Sequence, residues 1–539
     1  MKSKLALLLA LMLLVSVFFG CQATQQPDPT QAGNQPSTGD NTQTPTPDSS
    51  NAGDNTDRVA KDTITIVTES EPETLDPASA NTDAIALTLG MIGDHLFDLQ
   101  ADGSITLGGI CESYEQIDDV TVKFVLKEGV KFSDGTDLTS EDILWELSRL
   151  KEAPRSASNF AFVNAEESEI VDDRTIIVKF NQAWAPYQNT LSTGRGTIVS
   201  KAAFEAMGEA DFSRAPVTTG PYKVAEWIPG TSITLTRNEY YWGEPAKTEN
   251  IVIKFIPEAT SRVIELETGA ADIAYYIEGN DVARVDALDG YHVESGDAYR
   301  YLVVTFSMQD AILKDARVRQ ALCYAIDQEL LVEASSDGLG TAITGFCSTP
   351  TAGYKALDPW PYDVEKAKSL LAEAGYADGF TIDLHVEPIS LYEKAAEIIQ
   401  SMWAEVGVTA NIVSSALATY DAQHNGQFQA CIRDSTASEI SNMLIIYESS
   451  FGSRIQGNDD WLDGKLLELR TYYYDDPQRT TCLDEIYTYL NEQRYSYPYM
   501  NMPINYAVSD KLEGFEFHPA IDHIKHITDW VVYSIRHPS

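Results

Sequence analysis

With 539 residues, 43% of them hydrophobic and 22% charged, the chain has an ordinary globular balance and length for roughly three domain-sized units. Its formal net charge of −43 keeps such a protein soluble and monomeric. The same charge disfavours phosphate backbones and anionic headgroups, so nucleic acid is not an expected partner.

The N-terminus sets the compartment. Lys2 and Lys4 precede an almost unbroken apolar run over residues 5–19, followed by Gly20 and Cys21. This reads as an export signal over residues 1–20, too short for a comfortable membrane span. Cys21 at the first mature position resembles the bacterial lipobox, whose thiol receives a diacylglycerol, although Phe18 stands where the usual pattern has Leu. An ordinary secretory signal with an incidental Cys21 is the alternative. Residues 22–62 are rich in Gln, Pro, Thr, Asn, Asp, Gly and Ser and cannot bury enough surface to offset their ordering entropy. They are expected to form a flexible tether between lipid anchor and folded domain. Beyond Cys21 the cysteines are Cys111, Cys323, Cys347, Cys431 and Cys482, an odd set with no C-x-x-C pair, so neither a zinc ribbon nor a thioredoxin-like site is indicated.

From Thr63 the pattern is mixed. Residues 64–67 form a β-branched run suited to a sheet, and Thr121–Leu126 alternates up to a turn at Glu128 and Gly129. Residues 138–145 read as a helix start capped by Thr139, with Asp142 answering as a variant capping box. Glu141 and Asp142 are therefore helix-start acids rather than a catalytic pair. Asp363 precedes a helix with Ala367, Leu370, Leu371 and Ala374 on one face and Gly375 as its stop. Ile399, Met402, Trp403 and Val406 repeat the arrangement, with Gly407 as the stop and a strand over residues 408–413. Helix, glycine, strand is the grammar of α/β folds. No internal repeat is apparent, and nothing after the signal is long and apolar enough to span a membrane.

Catalytic signatures are missing: G-x-S-x-G, H-E-x-x-H, the Walker P-loop and G-x-G-x-x-G do not occur. No enzyme activity, cofactor or metal is expected. His518, His523 and His526 lie close together, a pattern commoner among packed or surface histidines than among ligands. A series of segments carries the identity instead. These are Thr74-Leu75-Asp76-Pro77, the run from Leu126 to Gly135 of the form L-x-x-G-V-x-F-x-D-G, and Thr219-Gly220-Pro221-Tyr222. Glu226-Trp227, Arg237-Asn238 with Tyr241-Trp242, Gly269 to Ile273, Arg317 to Leu322, Ala325-Ile326-Asp327 and the block from Tyr362 to Tyr376 follow in order. Together they resemble the family 5 solute-binding proteins of ABC importers, the oligopeptide- and dipeptide-binding group, from about residue 63 to the C-terminus.

The resemblance implies an α/β, two-lobed, periplasmic-binding-protein-like (type II) fold. Lobe I would comprise residues 63–95 and 219–297, with an inserted subdomain over 96–218 and a C-terminal return over 505–539. Lobe II would span 298–504, and the lobes would close on a ligand about two crossing segments. The implied function is capture of a short peptide and its delivery to an ABC permease outside the cytoplasm, with the membrane touched only through lipidated Cys21. A non-peptide solute such as an oligosaccharide or metal chelate, or a signalling peptide, is the alternative.

The same resemblance nominates contacts. The loop after the Leu-Asp-Pro motif offers Asn81, Thr82 and Asp83, and the segment past Asp272 offers Tyr275. The crossing strand offers Tyr301, Phe306 and Ser307, and the inserted subdomain an aromatic at Phe160 or Phe162. Core packing is the competing reading for Tyr275 and Phe306. Peptide binders carry a G-W-x-x-D-Y stretch whose aspartate meets the ligand's amine. Here the corresponding residues run from Ala430 to Ala437, with Arg433 at the tryptophan's place, Thr436 at the aspartate's and Asp434 two residues early. Asp434 would meet a cationic amine, or Arg433 would clamp a carboxylate with its planar fork; a solvated Arg433–Asp434 rim pair is the competing reading.

Overall fold

The computed structural model describes residues 58–79, 82–415, 428–449, 457–474, 476–521 and 527–535. The signal segment, Cys21, residues 22–57, Asn81, His523 and His526 lie outside these residues. No described helix is long and apolar enough to cross a membrane.

One mixed sheet organises the fold. In spatial order its strands are Val408–Ser414, Phe380–Val386, Ala430–Thr436, Tyr291–Phe306, Ser496–Ser509, Ile273–Tyr275, Thr63–Thr68, Asn250–Phe255, Ser232–Arg237 and Tyr222–Ile228, with Thr341–Ala342 added beside Ser496–Ser509. Tyr291–Phe306 and Ser496–Ser509 run 16 and 14 residues, well beyond an ordinary strand. Each serves two cores. Ala298, Ile504 and Tyr506 pack with Ile64, Ile66 and Leu89, whereas Leu302, Phe306, Tyr497 and Met500 pack with Val318, Leu322 and Trp403. The two strands thus join two separately packed bodies, the two lobes of the type II fold. A third core, built on Phe124, Ile143, Leu147 and Val178, fills a four-stranded sheet within residues 111–180 and the helix Ser140–Glu152.

Local chemistry explains the elements. The backbone N–H and hydroxyl of Thr139 both donate to Asp142, whose other oxygen accepts the N–H of Lys201, while Glu141 pairs with the Lys201 ammonium. Both acids are therefore spent on helix starts. Asp363 caps Val364–Glu373, and Gly375 ends the turn at φ +93°. Trp403 is fully buried, and its indole N–H donates to the Leu322 carbonyl at 3.0 Å, which satisfies its one polar atom in the core. Gly220 is required by proximity: a Cβ there would sit 2.4 Å from the Ile92 carbonyl.

The family-like motifs join bodies together. Asp76 accepts the Ala78 N–H at 3.0 Å and holds both ends of the Arg149 fork at 2.7 and 2.8 Å. Arg149 also grips Glu146. One expectation needs adjustment. Arg58–Ala60 pairs with residues 533–535, so a paired strand falls inside the segment read as tether; backbone pairing to the C-terminal strand supplies what its composition lacks. The five cysteines are buried thiols, and none forms a disulfide. His518 Nδ1 meets the Ala520 backbone, and no described group of His, Cys, Asp or Glu is arranged to hold a metal ion.

Candidate solute-binding cavity

A cavity of about 420 Å³ lies where the crossing strands pass between the bodies. Its position follows from a fault in strand pairing. Asp297 faces Pro503 and Tyr301 faces Asn501, so three residues, 298–300, stand against Met502 alone. Such a bulge re-aims side chains. Ala298, Tyr299, Arg300 and Met502 all line the cavity.

Arg300 is the hub. Its guanidinium reaches Asp83 at 2.6 Å, Thr436 Oγ1 at 3.1 Å and Asp434 at 3.3 Å. Asp83 opens the helix Asp83–Ile92, packed in the first core, and Asp434 sits on Ala430–Thr436, beside the second. One cation therefore joins carboxylates from both bodies. The two acids hold it protonated although burial opposes its charge. The Tyr276 hydroxyl donates to the other Asp83 oxygen at 2.7 Å, and burial followed by the Asp83 charge pushes that hydroxyl's pKa well up, so it stays a donor. Tyr276 adopts φ 61°, costly for a side chain of its size. Buried Arg262 supports that kink by donating to the Tyr276 carbonyl at 2.9 Å.

Charges of both signs converge here. Arg195, Arg300 and Arg433 line the cavity with Asp83, Glu387 and Asp434. The bodies also bond directly. Asn189 donates to Ser438 Oγ at 2.9 Å and accepts from Asn442 at 3.2 Å, and the Ala185 N–H donates to the Arg470 carbonyl at 2.7 Å. The two sides of the cleft are thus in direct contact.

Of the nominated contacts, Thr82, Asp83, Arg433, Asp434 and Thr436 line the cavity. Asn81 lies outside the described residues. Arg433 is largely buried rather than on a solvated rim, and Asp434 takes Arg300 as its ion partner. The aromatic nominations sit elsewhere. Tyr275 packs on Tyr506, 4.5 Å between ring centroids, because alternation along its strand turns it away; Tyr276 faces the cavity instead. Tyr301 belongs to a core with Phe346 and Tyr447, and Phe306 lies 6.4 Å from Trp403. Buried Ser307 is tied to its neighbours, its N–H to the Gln429 carbonyl and its hydroxyl to the Gln309 N–H. Phe162 stacks on Trp184 at 5.6 Å, and Phe160 is fully buried beside the same ring. Sequence reasoning missed Asn189, Arg195, Tyr276, Tyr299, Arg300 and Glu387. Only Arg300 carried a signal, as the one charge in the aromatic and aliphatic run over residues 298–306.

Comparisons with known proteins bear on the family and the fold. Residues 107–457 match the model of the bacterial extracellular solute-binding proteins, family 5 Middle. The glutathione-binding protein GsiB of Salmonella typhimurium is 28% identical over 376 residues, 69% of this chain and 73% of that protein. The binding protein AgaA from A. tumefaciens R10, solved with agropinic acid, superposes with TM-score 0.76 at 24% identity, covering 88% of this chain and 99% of that one. The oligopeptide-binding protein AppA from Bacillus subtilis, solved with a nonapeptide, gives TM-score 0.75 at 22% identity, covering 87% and 98%.

Proposed function

Because this chain belongs to the family 5 bacterial extracellular solute-binding proteins, which deliver solutes to ABC transporters, we propose that its own solute is a short peptide enclosed in the cavity around Arg300. One observation carries the reading: carboxylates and guanidiniums line a single cavity, and a peptide brings one ammonium and one carboxylate to be met there. The peptide bound by AppA and the glutathione bound by GsiB support the same class. The agropinic acid bound by AgaA keeps an acidic non-peptide solute as the second reading, since three arginines line this cavity too.

In this proposal residues 63–95, 219–297 and 505–539 form lobe I, 96–218 its inserted subdomain and 298–504 lobe II. The protein works as a monomer held outside the cytoplasm, at the cell surface or in the periplasm, by a lipid on Cys21. The Cys21→Ser chain should then leave the membrane fraction on cell fractionation; retention there would remove the anchor from the proposal.

Native mass spectrometry of the full chain, followed by denaturing release of co-purified solute, tests the substrate. A ladder of short peptides is the expected result, and a single non-peptide species overturns it. Asp434→Ala should weaken binding of the released peptide by about 1 kcal/mol or more, measured by calorimetry, because the ligand's ammonium loses a carboxylate. Unchanged affinity would place Asp434 outside the ligand shell.

A further inference from the structure

Arg300 occupies an unusual place. It stands on the bulge of a crossing strand and fills the gap between Asp83 and Asp434 with its guanidinium. A cation held between two acids is what a ligand's ammonium group would also supply. We propose that Arg300 is the specificity-determining residue of the cavity: an internal cation shared between Asp83 and Asp434 that leaves the cluster one net negative charge, enough for a peptide's ammonium, and thereby keeps the site from selecting solutes with a further cation.

The physical case rests on charge counting in a partly enclosed space. Asp83, Arg300 and Asp434 are between 21% and 30% exposed along their side chains, so their charges are screened less than on an open surface. With Arg300 present, two negative charges meet one positive charge and a hydroxyl donor from Tyr276. Without it, two carboxylates share a small volume and any solute cation entering there relieves their repulsion. The bulge keeps the guanidinium in register with both acids, while Thr436 Oγ1 fixes its Nε side at 3.1 Å. Asp83 and Asp434 belong to different bodies, so this balance is assembled only in the closed cleft.

The inference rests on the cavity being the solute site, and the test separates it from the peptide reading. Affinities of the full chain in detergent are measured by calorimetry for Ala-Ala-Ala, Ala-Asp-Ala and Ala-Lys-Ala. Arg300→Gln should move the affinity ratio of the lysine peptide over the aspartate peptide upward by about tenfold. Arg300→Lys, which keeps the charge and loses the fork, should hold the ratio near that of the unmodified chain. Adding Asp83→Asn to Arg300→Gln removes one acid with the cation and should return the ratio toward the starting value. A ratio in Arg300→Gln within about twofold of the starting one, with peptides still bound, overturns the proposal. If Arg300→Gln does not fold, the double variant and Arg300→Lys decide, and a ratio displaced about tenfold in either overturns it. Should the unmodified chain bind none of the three peptides, the peptide reading alone fails. The same variants are then compared by thermal shift with 1,4-diaminobutane and succinate, where stabilisation of Arg300→Gln by the diamine supports the proposal and an unchanged response overturns it.

Discussion

Two arginines in this molecule do outwardly similar work, each lying between two carboxylates. Arg149 grips Asp76 and Glu146 with four contacts of 2.7–2.8 Å, and the three side chains are 15%, 7% and 0% exposed. Arg300 makes one close contact to Asp83 and a longer one to Asp434, among side chains that are 21%, 25% and 30% exposed. The first set is saturated and dry, which suits a permanent joint between the inserted body and the Leu-Asp-Pro motif. The second is looser and opens on a cavity, which suits a place where a solute's charges enter and leave. Identical chemistry becomes structural or functional according to how completely the guanidinium is used.

The largest effect should come from the saturated cluster. Arg149→Met leaves Asp76 and Glu146 buried without their cation, and chemical denaturation should show a loss of about 3–5 kcal/mol. The protein that remains folded should bind solute normally. A loss under about 1 kcal/mol would mean that the joint is no firmer than the cleft cluster.

A carboxylate with no guanidinium sharpens the contrast. Asp94 accepts the Trp242 indole N–H at 2.7 Å, and burial raises its pKa from 3.8 to about 6, against the pull of that bond. The folded state therefore holds the proton more tightly than the unfolded one. Stability from this group is fully present below about pH 4 and is lost as pH rises through about 6. Allowing for the partial exposure of Asp94, the loss is about 1–2 kcal/mol over that window, and Asp94→Asn should flatten that segment of the stability–pH curve. In the cleft, Asn189→Ala removes bonds to Ser438 and Asn442 that exist only when the bodies meet. It should cost about 1 kcal/mol of closure, read as roughly fivefold weaker solute binding, with the melting point of the inserted body unchanged.

The same comparison shows what could be read in the chain. Asp76 stood in a recognisable motif, and the capped helices and glycine stops after Asp363 and around Gly407 are local chemistry, so they were legible. Asp83, at a helix start, and Asp434, on a strand, were nominated by the family resemblance, and both line the cavity. The aromatic contacts were not legible. Residues 301–306 are fully buried on both faces, so alternation cannot say which face meets a core and which a cavity. Asn189 and Ser438 are 249 residues apart, and neither carries a local signal for the other. Arg300 owes its aim to a bulge, a feature of pairing between distant strands rather than of either strand alone.

Tyr275 and Tyr276 give the finest version of this distinction and the smallest expected effect. They are adjacent, of one type, and a reading by motif cannot separate them. Alternation sends Tyr275 against Tyr506, and the φ of 61° at the next residue turns Tyr276 toward Asp83. Tyr276→Phe removes a hydroxyl that fixes one member of the Arg300 cluster, so solute affinity should fall by about 0.5–1 kcal/mol, a few-fold in calorimetry. Tyr275→Phe keeps the ring stack and should leave affinity within about twofold. The reverse order would mean that the first tyrosine reaches the solute and that the cavity changes shape when filled. Equal, negligible effects would instead show that Asp83 is held by Arg300 alone, which makes the cleft cluster depend on one side chain where the buried joint depends on four contacts.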